Sequence, residues 1–219
     1  MITMSKEMKM LSSIDHLQYF KNEITEKEII DVNSDLKHRV FPRPFERLST
    51  LRNDKNLVGI EIGVCGGEHA QSLLRTFDIA KIYLIDPYEM YETYMDGEGK
   101  NYGDSQLPLS RTYVEAKKTL EPFEKKITWV KKMSEDAIDD IREPLDFIYI
   151  DGNHDYEFVK RDIDTYYPHL KKGGMMGGHD FYNGFAETHN GVIRAVTEFS
   201  VSNNLQLFVE QPDWWFYKV

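Results

Sequence analysis

Several features that constrain protein chemistry are scarce or missing in this chain of 219 residues. Its single cysteine, Cys65, excludes an internal disulfide and every zinc site that needs a pair of cysteines. No apolar run approaches the roughly 20 residues that a membrane-spanning helix needs. The first 32 residues lack the uninterrupted apolar core of a signal peptide. These absences predict a cytoplasmic protein without a membrane partner.

Positive charge is also in short supply, since 27 Lys and Arg stand against 37 Asp and Glu, for a formal net charge of −10. An acidic surface repels phosphate backbones, so nucleic acid is not expected as a partner. One basic stretch, HRVFPRPFER at 38–47, is interpreted as a proline-broken connector, with a local basic patch as the alternative.

Short apolar runs alternate with helical patterns from residue 56 onward. The predicted strands are 56–64, 81–88, 126–132, 145–151, 173–181, 206–210 and 214–219. The predicted helices are 69–77, 111–124, 134–141, 155–170 and 191–203. Such alternation predicts a parallel sheet with helices on both faces. The last two strands face each other across a Gln-Pro-Asp turn, which predicts an antiparallel hairpin at the carboxyl terminus.

Two segments have no assigned chemistry. Residues 1–55 are predicted as a helical extension, because apolar residues recur at helical spacing within 14–32. This extension is a second lid, a homodimer contact or plain packing. The segment 89–110 is rich in Tyr, Gly and Asp and has no steady period, so it is either a lid over a substrate or a mobile loop.

The first predicted strand runs into a glycine cluster, EIGVCGG at 61–67. A dinucleotide fingerprint would need glycines where Cys65 and Glu68 stand, and no Walker loop is present. Glu61 would repel a pyrophosphate and would suit a ligand with an ammonium group. Asp86 ends the next strand, where such folds place an acid on ribose hydroxyls. The alternatives are a glycine turn without a ligand and, for Asp86, a helix-capping role.

Asp151 and His154 directly follow the strongest strand signal, LDFIYI. Ligands bind outside the carboxyl ends of the strands in parallel sheets, so a site is expected here. An imidazole titrates near neutrality and can take a proton from an attacking hydroxyl. The alternative for His154 is a structural hydrogen bond at the start of the next helix.

Four blocks of the sequence carry a family likeness: EIGVCGG, LIDPY, IDGNHDYEFVKRD and GGMMGGHDF, in this order. They resemble class I S-adenosylmethionine-dependent methyltransferases and, more narrowly, small-molecule enzymes of the macrocin O-methyltransferase type. The likeness covers 56–219, taken as one methyltransferase domain that follows the extension 1–55. It implies a Rossmann-like α/β fold with a seven-stranded, mostly parallel sheet and the terminal hairpin. It also implies methyl transfer to a hydroxyl of a small molecule, with a sugar as one candidate.

The resemblance implies roles for individual residues. The implied cofactor-binding residues are Glu61, Gly63, Gly67, Asp86, Met133, Ser134 and Asp151. The methionine part of S-adenosylmethionine would lie at the glycine loop, the ribose at Asp86, and the adenine near Met133 and Ser134.

Related enzymes often hold a divalent ion with acids from two neighbouring strand ends, and the matching residues here are Asp151, His179 and Asp180. Carboxylates suit Mg²⁺. Relatives commonly have a carboxylate where His179 stands, and imidazole favours Mn²⁺, Fe²⁺ or Zn²⁺. The alternative is a hydrogen-bonded Asp–His pair without metal. His154 and Asp151 are the predicted catalytic residues, with His154 as general base, while Asp162 is predicted to be structural.

Three further functions are compatible with the same motifs. They are an N-methyltransferase on this fold, a non-catalytic protein that binds S-adenosylmethionine, and a hydroxylase from a related group with similar acidic strand ends.

Overall fold

The computed structural model describes residues 9–11, 55–91, 106–181, 187–210 and 212–219. The strands are β1 Lys9–Leu11, β2 Leu57–Ile62, β3 Ile79–Ile85, β4 Ile127–Val130, β5 Leu145–Ile150, β6 Leu170–Gly178, β7 Leu207–Glu210 and β8 Asp213–Tyr217. The α-helices are α1 Glu68–Thr76, α2 Gln106–Leu120, α3 Ser134–Ala137, α4 Tyr156–Tyr166 and α5 Glu187–Ser202. Short 3₁₀ turns follow α2, α3 and α4 at Glu121–Lys126, Ile138–Asp140 and Tyr167–His169. The helices predicted within 14–32 and most of the 89–110 segment lie outside the described residues.

The strands form one sheet in the order β1-β7-β8-β6-β5-β2-β3-β4. Strands β2 to β6 pair in parallel, whereas β8 runs antiparallel to both β6 and β7. The predicted Rossmann-like sheet of seven strands with its terminal hairpin is therefore confirmed. The eighth strand, β1, pairs antiparallel with β7 and was not predicted. Three residues are too few to show the alternation by which a strand is recognised.

The strand ends are aligned across the parallel part of the sheet. In the register, Ile62 of β2 lies beside Ile85 of β3 and Ile150 of β5, and Ile150 lies beside Gly178 of β6. The chain proceeds outward from β2 in one direction through β3 and β4, and then in the other through β5 and β6. The order thus reverses between β2 and β5, which is where sheets of this kind bind ligands.

The central strands are buried on both faces because helices cover both sides of the sheet. On one face, Val159 of α4 and Val196 of α5 pack with Ile148 of β5 in one core cluster. On the other, Leu73 of α1 and Leu120 of α2 belong to a second cluster. This double covering explains why the strands appear in the sequence as continuous apolar runs rather than as alternating ones. None of the described helices combines the length and the apolar character needed to cross a membrane.

The close pairing of β2 with β5 leads to a first prediction. Gly59 lies directly beside Phe147, and a Cβ on Gly59 would come 2.1 Å from the ring atom Cζ. We expect Gly59→Ala to lower the free energy of unfolding by about 1–3 kcal/mol, because the core has no room for the methyl group. Urea denaturation of the purified protein measures this change.

The matched control uses Phe147→Leu, which shortens the opposing side chain. In the double variant the loss of stability should be smaller than the sum of the two single losses, since the leucine leaves space for the new methyl group. Two losses that simply add would show that the Gly59 contact with Phe147 does not limit stability.

Candidate active site

The glycine loop after β2 lies against the end of β5. Gly63 has a φ of 82°, and a Cβ at this position would be 2.1 Å from the carbonyl oxygen of Asp151. Only glycine combines this backbone conformation with such a close approach. Gly67, with a φ of 83°, begins α1 as its N-cap residue. The loop can therefore bring its backbone to the switch point between β2 and β5.

Asp86 holds this loop in place from the end of β3. Its Oδ2 accepts hydrogen bonds from the N–H groups of Val64 and Cys65 at 3.0 and 3.1 Å. Its Oδ1 accepts one from the N–H of Tyr88 at 2.8 Å. The pKa of Asp86 is raised above its ordinary value, because the effect of burial outweighs that of these three hydrogen bonds, which act to lower it. A carboxylate has about four acceptor positions, so about one stays open to a ligand. Asp86 thus shapes the loop and can still bind a hydroxyl.

A cavity of about 190 Å³ opens beside the loop. The predicted cofactor residues that line it are Gly63, Asp86, Met133, Ser134 and Asp151. Residues that line it without having been assigned to the cofactor include Tyr91, Asn153, Phe158 and Asp162. The predicted site residues from four separate strand ends are thus brought together around one hollow.

Glu61 and Gly67 do not line this cavity. Glu61 is 1% exposed, and its Oε2 lies 3.4 Å from Nδ1 of His69 on α1. The ring of His69 lies against that of Tyr149, with 3.9 Å between the centroids. Glu61 therefore lies beneath the glycine loop, within a polar cluster of the core. The contact of Glu61 and Gly67 with a cofactor stays a prediction.

A second group of polar residues follows β5 and β6. Nε2 of His154 is 2.8 Å from Oδ2 of Asp180, and Nδ1 of His179 is 3.0 Å from the same oxygen. Nδ1 of His179 also lies 3.6 Å from Oδ1 of Asp151. Asp180 has a φ of 61°, a left-handed conformation that is strained for a residue with a side chain. Because β5 and β6 are neighbours, their carboxyl ends bring these four residues together.

The electrostatics of this group follow from two imidazoles that share one buried carboxylate. Burial acts to raise the pKa of Asp180, but His179 and His154 together hold it well below its usual range. Burial acts to lower the pKa of His179, and Asp180 and Asp151 raise it to about 9. The pKa of His154 is likewise raised, because Asp180 outweighs the effect of burial. The cluster therefore binds protons, or another cation, strongly.

The donor atoms of this cluster fit a divalent cation. Asp151, His154 and Asp180 each offer one ligand atom, and these atoms lie within 4.8 Å of one another. The resemblance had implied His179 in place of His154 as a metal ligand. His154 was predicted only as a base, although its spacing of three residues from Asp151 is a signal for a shared site. Two carboxylates and an imidazole suit Mn²⁺, Fe²⁺ or Zn²⁺ better than Mg²⁺.

Comparison with known proteins identifies the family. A family model described as a methyltransferase domain matches residues 60–181, more than half of the chain. The chain belongs to this methyltransferase family. The class I S-adenosylmethionine-dependent methyltransferase predicted from the four sequence blocks is thereby confirmed, while membership of the narrower macrocin type stays a prediction.

Solved structures share the fold of this methyltransferase. A candidate caffeoyl-CoA O-methyltransferase from Staphylococcus aureus is 15% identical, with a TM-score of 0.58, over 93% of this chain and 97% of that one. A calicheamicin methyltransferase is 15% identical, with a TM-score of 0.60, over 94% and 86%. A candidate methyltransferase from Streptococcus mutans, solved with S-adenosylhomocysteine, is 13% identical, with a TM-score of 0.57, over 82% and 99%.

Further similar structures are named as rRNA methylases or as precorrin methyltransferases. Among curated proteins, none matches the sequence of this chain. At such low identity the structural likeness shows the fold alone, so the acceptor must be inferred from the site itself.

Asp162 is a residue of the methyltransferase site whose place in the cavity was not predicted from the sequence. Its Oδ1 accepts a hydrogen bond from Oγ of Ser134, which agrees with the structural role predicted for it. The hydroxyl of Tyr166 donates to the carbonyl oxygen of Ser134 at 2.6 Å. Asp162 also lines the cavity while being only 3% exposed. Its spacing of one helical turn from Phe158, which lines the same cavity, is the signal in the sequence.

The burial of Asp162 leads to a prediction about stability. Burial raises the pKa of this carboxyl to about 7 from an ordinary value of 3.8. Between these values the folded protein binds more protons at this site than the unfolded chain does, so stability decreases as the pH rises through this window. Asp162→Asn keeps an acceptor for Ser134 and removes the charge. We expect the variant to be more stable than the parent by up to about 4 kcal/mol at about pH 8 and about equally stable at about pH 4.

Urea denaturation of both proteins across this pH range checks the prediction. A difference between parent and variant that does not change with pH would show that the pKa of Asp162 is the same in the folded and the unfolded protein, and so is not raised by burial.

Proposed function

We propose that this methyltransferase is of the macrocin O-methyltransferase type and transfers a methyl group from S-adenosylmethionine to a hydroxyl of a small molecule, with a sugar as one candidate. The observation that carries the proposal is the position of Asp151. This residue lines the cavity at the glycine loop and also belongs to the group with His154 and Asp180. A cofactor in the cavity and an acceptor at the cluster would therefore meet at one carboxylate.

The cavity residues have distinct tasks in this proposal. S-adenosylmethionine supplies an electrophilic methyl group on a sulfonium. The open acceptor position of Asp86 would bind a ribose hydroxyl, while Gly63 allows the loop backbone to approach the methionine part. Met133 and Ser134 would lie at the adenine. Catalysis would rest mainly on holding the two reactants in line for displacement.

The cluster residues would act on the acceptor. The attacking hydroxyl oxygen forms the new bond to the methyl carbon as the carbon–sulfur bond breaks, and the hydroxyl proton must leave. In the neutral imidazole of His154, Nε2–H donates to Asp180, so Nδ1 is the nitrogen that can accept this proton. The carboxylate of Asp180 would stabilise the imidazolium that results.

A divalent cation held by Asp151, His154 and Asp180 would lower the pKa of a hydroxyl bound beside it. A metal-bound imidazole cannot also accept the proton, so cation assistance is the alternative to a base at His154. An amine acceptor needs no such assistance once it is deprotonated, so N-methylation is the second candidate function. The net charge of −10 argues against an RNA substrate such as some structural neighbours are named for. A non-catalytic cofactor-binding protein and a hydroxylase are compatible with the same motifs, and the experiments below distinguish them from a methyltransferase.

Cofactor binding is the first test. Calorimetric titration with S-adenosylmethionine and S-adenosylhomocysteine should give saturable binding near one per chain. Asp86→Ala should weaken binding by at least about tenfold, because both the loop and a hydroxyl acceptor are lost. The matched control is Asp78→Ala, an exposed residue at the amino end of the same segment, near Lys55. A folded protein that binds neither compound would overturn the proposal.

The role of His154 is the second test. Formation of S-adenosylhomocysteine is measured with a panel of sugar and phenol acceptors. We expect His154→Gln to lower turnover by about 10²–10⁴-fold, because the proton acceptor is lost. Its cofactor affinity should change little, since His154 does not line the cavity. His169→Gln, at the opposite end of the sheet, is the control. Full turnover in His154→Gln would refute the assignment of the base.

Chelation tests whether a cation assists the reaction. If a cation assists an O-methyltransferase, dialysis against a chelator should abolish turnover, and Mn²⁺ or Mg²⁺ should restore it. Turnover that survives complete chelation would favour an amine acceptor or a metal-free reaction at His154.

A further inference from the structure

We infer that Asp162 recognises the exocyclic amino group of the adenine and thereby makes the site selective for an adenosyl cofactor. The inference rests on the proposed function, because it takes the cavity to be the binding site for S-adenosylmethionine. The residue lies on α4, outside the strand-end motifs from which the cofactor site was predicted.

The first support is the position of Asp162 in the cavity. Asp162 and Phe158 lie one turn apart on α4, and both line the cavity together with Met133 and Ser134. The ring of Phe158 and the side chain of Met133 provide apolar surface of the kind against which a flat base packs. Asp86, the predicted ribose ligand, lines the same cavity from the end of β3. A nucleoside with its ribose at Asp86 can therefore extend its base towards α4.

The second support is an acceptor atom that the described part of the protein leaves open. Oδ1 of Asp162 accepts the hydrogen bond from Oγ of Ser134, and no hydrogen bond to Oδ2 is found among the described residues. The side chain is nevertheless buried, with 3% exposure. A carboxylate that lines a cavity with so little exposure to water is poorly solvated, and a ligand that brings an N–H into the cavity would stabilise it.

The third support is the kind of donor that the surroundings would accept. Arg161 is the cationic residue that acts to lower the pKa of Asp162, but its Nη2 lies 3.0 Å from Oε2 of Glu135 and its guanidinium packs over the Phe158 ring at 4.6 Å. The hydroxyl of Ser134 is already directed at Asp162. The remaining acceptor oxygen of Asp162 would therefore suit a neutral N–H donor on a planar ligand group. The exocyclic amino group of adenine is such a donor.

The ionised carboxylate would also discriminate against other purines. It can only accept hydrogen bonds, so it favours an amino group and repels a carbonyl oxygen in the same place. A protonated carboxyl could pair with either. Because burial raises the pKa to about 7, the comparison is sharpest at about pH 8, where the carboxylate predominates.

The test compares two ligands by calorimetry at about pH 8. They are S-adenosylhomocysteine and S-inosylhomocysteine, in which an oxygen replaces the adenine amino group. We expect the parent protein to bind the adenosyl compound about 10–100-fold more tightly, because the inosyl compound leaves the carboxylate without its donor. In Asp162→Asn the amide can turn its NH₂ towards the oxygen, so the preference should fall to within about threefold or reverse.

Two further variants serve as controls. Asp164→Asn alters an exposed carboxylate on the same helix that pairs with Lys160, and it should keep the parent ratio. Ser134→Ala removes the hydroxyl that orients Asp162 and should lower the ratio partly. An unfolding transition measured for every variant shows that each is folded.

The outcomes separate the inference from the proposed function. If the parent and Asp162→Asn bind S-adenosylhomocysteine but show the same ratio between the two ligands, Asp162 does not recognise the base and the inference is overturned. If the folded parent binds neither ligand, the proposed function fails and the inference fails with it. A ratio that falls in Asp162→Asn and persists in Asp164→Asn supports the assignment.

Discussion

The site depends on the close contact between the glycine loop and the carboxyl end of β5. The N–H of Asp151 donates to the carbonyl oxygen of Ile62 at 2.8 Å, and the N–H of His179 donates to that of Ile150 at 3.0 Å. These hydrogen bonds continue the sheet just past its strands, where Gly63 leaves no side chain between the two backbones. Asp86, Gly63, Asp151 and His179 are therefore the residues that directly follow four aligned strand ends. Because the strand ends are aligned in the register of the sheet, the residues that follow them lie side by side along one edge.

This arrangement creates two neighbouring spaces, the cavity and the polar cluster. The cavity is built by the loop, Asp86 and the face of α4, whereas the cluster is built by the ends of β5 and β6. Asp151 lies on the boundary and belongs to both. The division suits a family of enzymes in which one reactant is common to all members and the other differs from member to member. The first space must be rigid, and the second can vary between relatives that share a fold and differ in substrate.

Several features of the site lower the stability of the fold. Cys65, Tyr88 and Asp180 all have positive φ values, and each lies at the cavity or the cluster. Asp162 places an ionisable carboxyl where burial raises its pKa to about 7. Strain and buried charge of this kind persist where the surrounding structure over-determines them, and they are concentrated at functional sites. The apolar cores on the two faces of the sheet stabilise the fold and so compensate for the cost of these features.

The sequence by itself determined the class of fold and much of the lining of the cavity. Alternating apolar runs and helical patterns are local signals, so the seven strands, their covering helices and the terminal hairpin were predictable. Gly63, Asp86 and Asp151 were predictable because each directly follows a strand, and parallel strands end together. Only the tertiary structure decided the rest. It placed Glu61 beneath the loop with His69, brought His154 to Asp180, added β1 at the sheet edge and turned Asp162 into the cavity. Those outcomes depend on which side chains meet across distant segments, and no local period in a sequence records such a meeting.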